Sequence, residues 1–178
     1  LFARLSPPHA PVFAPAPSAE ALAAVLSVET SAIGSVDLSP AAVSCGMPFV
    51  LVPLRDLDTL ARVRVDLPHW ESELAGSWTP DLYLFTPVDD DSSDFRARMF
   101  APGMGVVEDP ATGAAACALA AYLAPRSPRA SDRWTVAQGI EMGRPSILYL
   151  EAEKRDGHIA AIRVGGTSVV VARGDIEA

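Results

Sequence analysis

The sequence predicts an α+β fold in which a β-sheet curls round one central alanine-rich helix. Three observations carry this expectation. Apolar runs of strand length and composition recur along the chain, Pro48–Leu54 being the most continuous. One stretch, Pro110–Ala124, is a strong helix former and apolar on nearly every side, so it needs burial all round. Strand-like segments stand both before and after it, which makes a sheet the surface that buries it.

The elements follow in order. Leu1–Leu5 reads as the end of a strand. Pro7, Pro8, Pro11, Pro15 and Pro17 exclude a helix and suit an extended linker or sheet edge. Residues 1–17 are therefore expected to be a strand end and a Pro-rich linker, and residues 18–178 the domain proper. Ser18 caps a short helix from Ala19 to about Ser27, with Glu20 in its first turn, where the helix dipole favours an acid. The chain turns to β at Ala41. Asp56 caps a second short helix through about Arg62. Leu82–Phe85 and Phe95–Phe100 read as strands, with the polar loop Asp89–Asp94 between them.

Asp109 is a suitable N-cap for the central helix. Pro110 would stand at N1, where a missing N–H costs nothing, and Pro125 ends the run. Trp134–Ala137, Ser146–Glu153, His158–Val164 and Thr167–Ala172 follow as strands. Asp156-Gly157 is a two-residue hairpin turn, and Gly165-Gly166 a second tight turn. Trp70, Trp78 and Trp134 are assigned to core packing.

Composition excludes several function classes. The 178 residues carry a net charge of −8, which repels phosphate backbones and anionic membrane surfaces, so neither nucleic acid nor membrane is an expected partner. With 49% hydrophobic residues the chain has enough apolar surface to fold. The longest apolar run, Ala114–Ala124, is too short to span a bilayer. Cys45 and Cys117 are far apart and form no CxxC, which suits a cytoplasmic protein with structural thiols. His9, His69 and His158 are scattered, and no metal is expected. The chain begins at Leu1 and not at Met, so an upstream part is expected to have been removed or left out.

The chemistry is expected in Val106–Ala115, VVEDPATGAA. A helix start exposes unpaired N–H groups and a partial positive charge. Gly113 lets a ligand approach the backbone, and a substrate carboxylate could be held by the amides of Thr112, Gly113 and Ala114. Asp109 could take a substrate amine or hydroxyl, or relay a proton. The pattern alone leaves open a plain N-cap followed by a core helix.

Other stretches carry less. Asp89-Asp90-Asp91 with Asp94 lacks the glycine and distal glutamate of a calcium loop and reads as solvated. In QGIEMGRPS (Gln138–Ser146), Gly139, Gly143 and Pro145 are expected to shape a bulge and turn, with the charges in solvent. The alternative places Glu141 or Arg144 on a cleft or a dimer interface. There is no G-x-S-x-G, and Gly103-Met104-Gly105 lacks a third glycine and a lysine, so serine-hydrolase and nucleotide-binding readings fail.

EDPATGAAACALAAYL resembles the EDPATGSA helix motif of the PhzF-like (phenazine-biosynthesis-like) isomerase family. SCGMPFVLVPL (Ser44–Leu54), FAPGMGVVEDPATG, QGIEMGRPS and IRVGGTSVVVARG (Ile162–Gly174) are similar to family stretches in the same order. The resemblance covers about Ala41 to Gly174. It implies one half, the C-terminal one, of a diaminopimelate-epimerase-like fold, each half a sheet round a central helix, with the site in the cleft between halves. It implies proton transfer beside a carboxylate with no cofactor or metal, and a homodimer.

Carried over by motif, Asp109 matches the substrate-contacting aspartate, here taken as catalytic, and Gly113 the anion-binding glycine. Ala114 stands where many members have a substrate-contacting serine, so a hydroxyl contact is lost. Thr112 completes the substrate-binding set. The family's N-terminal glutamate base and its glycine-histidine motif have no counterpart here. The partners implied are a small carboxylated molecule and an N-terminal half of the same protein. The alternative is a catalytically incomplete ligand-binding or assembly domain.

Overall fold

The computed structural model describes residues 1–35, 37–90 and 92–175. Its strands are β1 (Phe2–Leu5), β2 (Val12–Ala14), β3 (Ala41–Ser44), β4 (Pro48–Pro53), β5 (Leu82–Pro87), β6 (Phe95–Ala101), β7 (Val106–Asp109), β8 (Ser131–Gln138), β9 (Ser146–Arg155) and β10 (His158–Thr167). The helices are α1 (Ala19–Leu26), α2 (Leu57–Arg62), α3 (Leu67–Glu73) and α4 (Gly113–Leu123). The strands form one 10-stranded sheet in the order β1-β10-β9-β8-β6-β5-β4-β3-β2, with β7 on β6. The pairs β4–β5 and β6–β8 are parallel and the others antiparallel.

The sheet curls because α4 lies between its distant parts. The helix packs against β9 and β10 on one side and β3 and β4 on the other. Ala115 to Leu123 are all buried. Alanine keeps the helix thin, so strands on several sides come close without voids. Around it stand the inward residues Phe49, Leu51, Tyr83, Phe85, Ala97, Met99, Val136, Leu150 and Val164. The Phe85 ring meets Tyr122 and Phe95 edge-on, centroids 5.7 and 5.8 Å apart.

The other face of β4, β5 and β6 carries a second core. Val50, Val52, Leu82, Leu84 and Phe100 point outward there against Leu22, Val25, Leu26, Leu60, Val63 and Leu74 of the helical layer. Strands buried on both faces need no polar alternation, which is why Pro48–Leu54 is a continuous apolar run. Arg98 ties this layer down. It donates to the carbonyls of Leu60, Ala61 and Val63 at the end of α2 and makes a bidentate pair with Glu108, both bonds 2.9 Å. A cation at a helix C-terminus also complements the dipole.

Most expected elements form, with several differences. Ser18 and Asp56 cap α1 and α2 through Ala21 N–H and Thr59 N–H, as expected. Asp156 and Gly157 both take left-handed backbone, φ 52° and 79°, and turn β9 into β10. The Pro-rich segment contains β2, which pairs with β3 as one sheet edge. α3, capped by Asp66 with Pro68 in its first turn, and β7 were not anticipated.

Gly165-Gly166 makes no turn. β10 runs straight through it, paired with Arg4 and Ala3 of β1. A Cβ on Gly165 would lie 2.7 Å from Phe2 Cζ, so glycine serves a close ring contact there. The expected strand Thr167–Ala172 does not continue past Thr167, and Val169, Val170 and Val171 are exposed. Strand-forming residues need a neighbouring strand, and beyond Ser168, which donates to Leu1 O, none is present among the described residues. Trp78 is exposed rather than packed, whereas Trp70 donates to Pro80 O.

Candidate functional site: the mouth of the central helix

β6 shares one edge between two strands. Its first half, Phe95–Ala97, pairs with Val136–Gln138 of β8, and its second half pairs Met99 with Asp109 and Ala101 with Val106 of β7. The ends of β7 and β8 therefore converge, and the chain leaves Asp109 to enter α4 at that fork.

The sequence placed the helix start at Asp109 and Pro110; the structure places it three residues on. Asp109 is the last residue of β7, held extended opposite Met99, and Thr112 is the N-cap of α4. The Thr112 hydroxyl does not cap the helix. It donates to Asp109 Oδ2 at 2.5 Å. The amides of Gly113, Ala114 and Ala115 accordingly have no acceptor among the described residues, and the first closed bond runs from Ala116 N–H to Thr112 O at 3.0 Å. These free donors and the dipole make the mouth receptive to an anion.

All four expected site residues lie together. Asp109, Thr112 and Gly113 are half-buried and Ala114 is exposed. Gly113 also has a packing role, because a Cβ there would lie 2.9 Å from Leu5 Cδ2. The Leu5 side chain is the flexible end of an edge strand, 44% exposed. Beside Ala114 opens a cavity of about 270 Å³ walled by Leu5, Pro7, Pro8, Met47 and the thiols Cys45 and Cys117. Both cysteines are free and buried. Burial pushes the Cys45 thiol up to about 11 and, with the nearby Cys45, the Cys117 thiol up to about 12. They line the cavity as apolar groups.

The residue that sequence reasoning missed is Gln138. From the sequence it has no role beside the bulge and turn expected at Gly139, Gly143 and Pro145, yet it is 0% exposed. Its Nε2 donates to Asp109 O (2.7 Å) and Thr112 Oγ1 (3.0 Å), and its Oε1 accepts from Thr112 N–H (3.3 Å) and Tyr83 O–H (3.2 Å). Burial, and then the Asp109 charge, push the Tyr83 hydroxyl far up, so it stays a donor. Gly139, at φ 79°, lets this strand end press against the loop, since a Cβ would lie 2.8 Å from Pro110 O. Glu141 is also not in solvent. Its carboxylate pairs with Arg96 at 3.1 Å and its side chain is 12% exposed. Both β6 arginines reach back to acids, which draws Glu141 inward. Arg144 is exposed, as expected.

In the Asp89–Asp94 loop, Asp90 accepts from Ser92 and Ser93, and Asp94 from Thr135 N–H at 2.7 Å; Asp91 lies outside the described residues. No group of three His, Cys, Asp or Glu at metal-binding spacing occurs among the described residues. No described helix is long and apolar enough to cross a membrane.

Comparison with known proteins agrees with this architecture. A family model described as phenazine biosynthesis-like protein matches residues 5–174. An uncharacterized isomerase of Mesorhizobium japonicum is 38% identical over 167 residues, 88% of this chain and 54% of that protein. A trans-2,3-dihydro-3-hydroxyanthranilate isomerase of Pseudomonas chlororaphis is 42% identical over 83 residues, covering 46% of this chain and 30% of that protein. The crystal structure of a Bacillus anthracis PhzF-family protein superposes with a TM-score of 0.82 at 25% identity, over 93% of this chain and 57% of that one. A predicted epimerase of Pseudomonas aeruginosa gives 0.69 at 26% identity, over 98% and 58%. The chain thus spans about half the length of the Mesorhizobium relative it matches. On these grounds the chain belongs to the phenazine biosynthesis-like PhzF family, and the curated relatives described above are named as isomerases.

Proposed function

We propose that the protein is a cofactor-independent isomerase or epimerase that moves a proton on a carbon beside the carboxylate of a small substrate. The observation that supports this most is the pairing of a fixed carboxylate with free amides. Asp109 is held by Thr112 at the mouth of α4, where Gly113 and Ala114 present unused donors. The amides would hold the substrate carboxylate and stabilise the charge that builds on it as the neighbouring carbon loses its proton. Asp109 would contact the substrate's amine or hydroxyl and help to return the proton. The principal general base would come from an N-terminal half corresponding to the length of the relatives that this chain does not match.

The Pseudomonas relative's name points to a dihydro-hydroxyanthranilate as one candidate substrate. Ala114 has no hydroxyl, so a substrate that needs only the amide of Ala114, and no side-chain hydroxyl there, fits better. The assembly proposed is a cytoplasmic homodimer, and a single copy by light scattering would count against it. Solvent exchange tests the activity whichever product forms. The intact protein is incubated in D₂O with a panel of small amino- and hydroxy-carboxylates, and deuterium at the carbon beside the carboxylate is read by mass spectrometry. The protein should label at least one member, and Asp109→Asn should slow labelling by about 10²-fold. No labelling of any member, or undiminished labelling by the variant, overturns the reading.

A further inference from the structure

We infer that Gln138 is the positioning residue of the helix mouth, setting the place of both Asp109 and Thr112 without touching substrate. This rests on the reading of that mouth as a carboxylate site. The orientation of its amide is decided by its neighbours. Asp109 O can only accept and Thr112 N–H can only donate, so the nitrogen must face the former and the oxygen the latter. Tyr83 O–H, buried behind it, donates to the same oxygen and holds the amide in that sense. Since Gln138 Nε2 donates to Thr112 Oγ1, the threonine proton is directed onto Asp109 Oδ2. One amide thereby orders the backbone of β7, the N-cap of α4 and the carboxylate between them. Only glutamine among neutral side chains offers two donors and a two-fold acceptor at this reach.

The consequence is specific to one substitution. Gln138→Glu keeps shape and size but sets acceptor against acceptor at Asp109 O, and draws the Thr112 proton away from Asp109. Tyr83→Phe removes one bond at the back and leaves the donors in place. The test is a titration of the intact protein with benzoate, followed by the amide resonances of Gly113 and Ala114, with the ¹³C carboxylate resonance of Asp109 recorded in the absence of ligand. Thermal unfolding of each variant verifies that it folds.

Benzoate should shift both amides in the parent protein. Gln138→Glu should weaken that binding about tenfold and move the Asp109 resonance, while Tyr83→Phe changes either little. In turnover the Gln138→Glu variant should lose about 10²-fold in kcat through the displaced Asp109, in addition to the roughly tenfold rise in KM that the weaker carboxylate binding brings. Equal benzoate affinity in parent and Gln138→Glu overturns the inference and leaves the carboxylate site standing. If benzoate shifts neither amide of the parent, the carboxylate reading fails. The Asp109 resonance then decides on Gln138 alone, a shift in Gln138→Glu supporting its positioning role and an unmoved one ending it.

Discussion

At the scale of single residues, local grouping was legible and distant partners were not. That Asp109, Thr112, Gly113 and Ala114 gather at the mouth of the central helix was legible because a helix-start pattern and a family-like motif coincide in one stretch. Gln138 was not legible, because its role depends on a residue 55 positions upstream and another 29 positions upstream. No local pattern encodes such contacts. Glu141 escaped for the same reason, its partner Arg96 lying on another strand. The thiols make a prediction at this scale. With Cys45 4% and Cys117 1% exposed and both thiols pushed well above neutrality, neither offers thiolate at pH 8. A disulfide reagent should titrate essentially no thiol in the native protein at that pH and both after unfolding. Rapid native labelling of either would mean that the α4 cavity opens in solution.

At the scale of elements, caps decided boundaries. Ser18 and Asp56 were read correctly because each needs only a helix three residues ahead. Asp109 met the same criterion and was still a strand end, because pairing with Met99 and the bond from Thr112 compete with capping. Asp56 yields a prediction with a defined pH window. Thr59, then the Arg55 guanidinium, holds its carboxyl down to about 2. Of the Thr59 groups the amide closes the bond, at 2.7 Å, and the buried hydroxyl closes none. A carboxyl lowered on folding contributes stability above its unfolded value near 3.8, and that contribution disappears as pH falls towards 2. Asp56→Ala should therefore cost about 1 kcal/mol at pH 7. In urea unfolding the gap between parent and variant should narrow from pH 4 to pH 2. A constant gap would mean that the charged form has no part in the cap.

At the scale of the whole molecule, the helix diameter sets the curl of the sheet. α4 touches β3 and β4 as well as β9 and β10, which stand far apart in the strand order. Ala120 is 0% exposed in this enclosure, with no solvent side to yield. Ala120→Leu should destabilise by about 3 kcal/mol or prevent folding, since extra methylenes in a filled core force strands apart. Ala114→Ser at the exposed mouth should leave stability within about 0.5 kcal/mol. Thermal unfolding of the pair compares them. Equal Tm values would show that the sheet is looser round α4 than its packing indicates.

The α+β class, the buried alanine helix, the apolar strand run Pro48–Leu54, the short helices capped by Ser18 and Asp56 and the segment of the candidate site were written in the sequence, because each depends on neighbours within about a turn or on an apolar period. Tertiary structure alone decided that Asp109 ends a strand, that Gly165 and Gly166 lie inside one, and that Ser168–Ala172 extends none. It alone brought Gln138 between Tyr83, Thr112 and Asp109. Those outcomes depend on which strand ends meet in the curled sheet, and a hydrogen bond between distant residues is chosen by that meeting rather than by either residue's own surroundings in the chain.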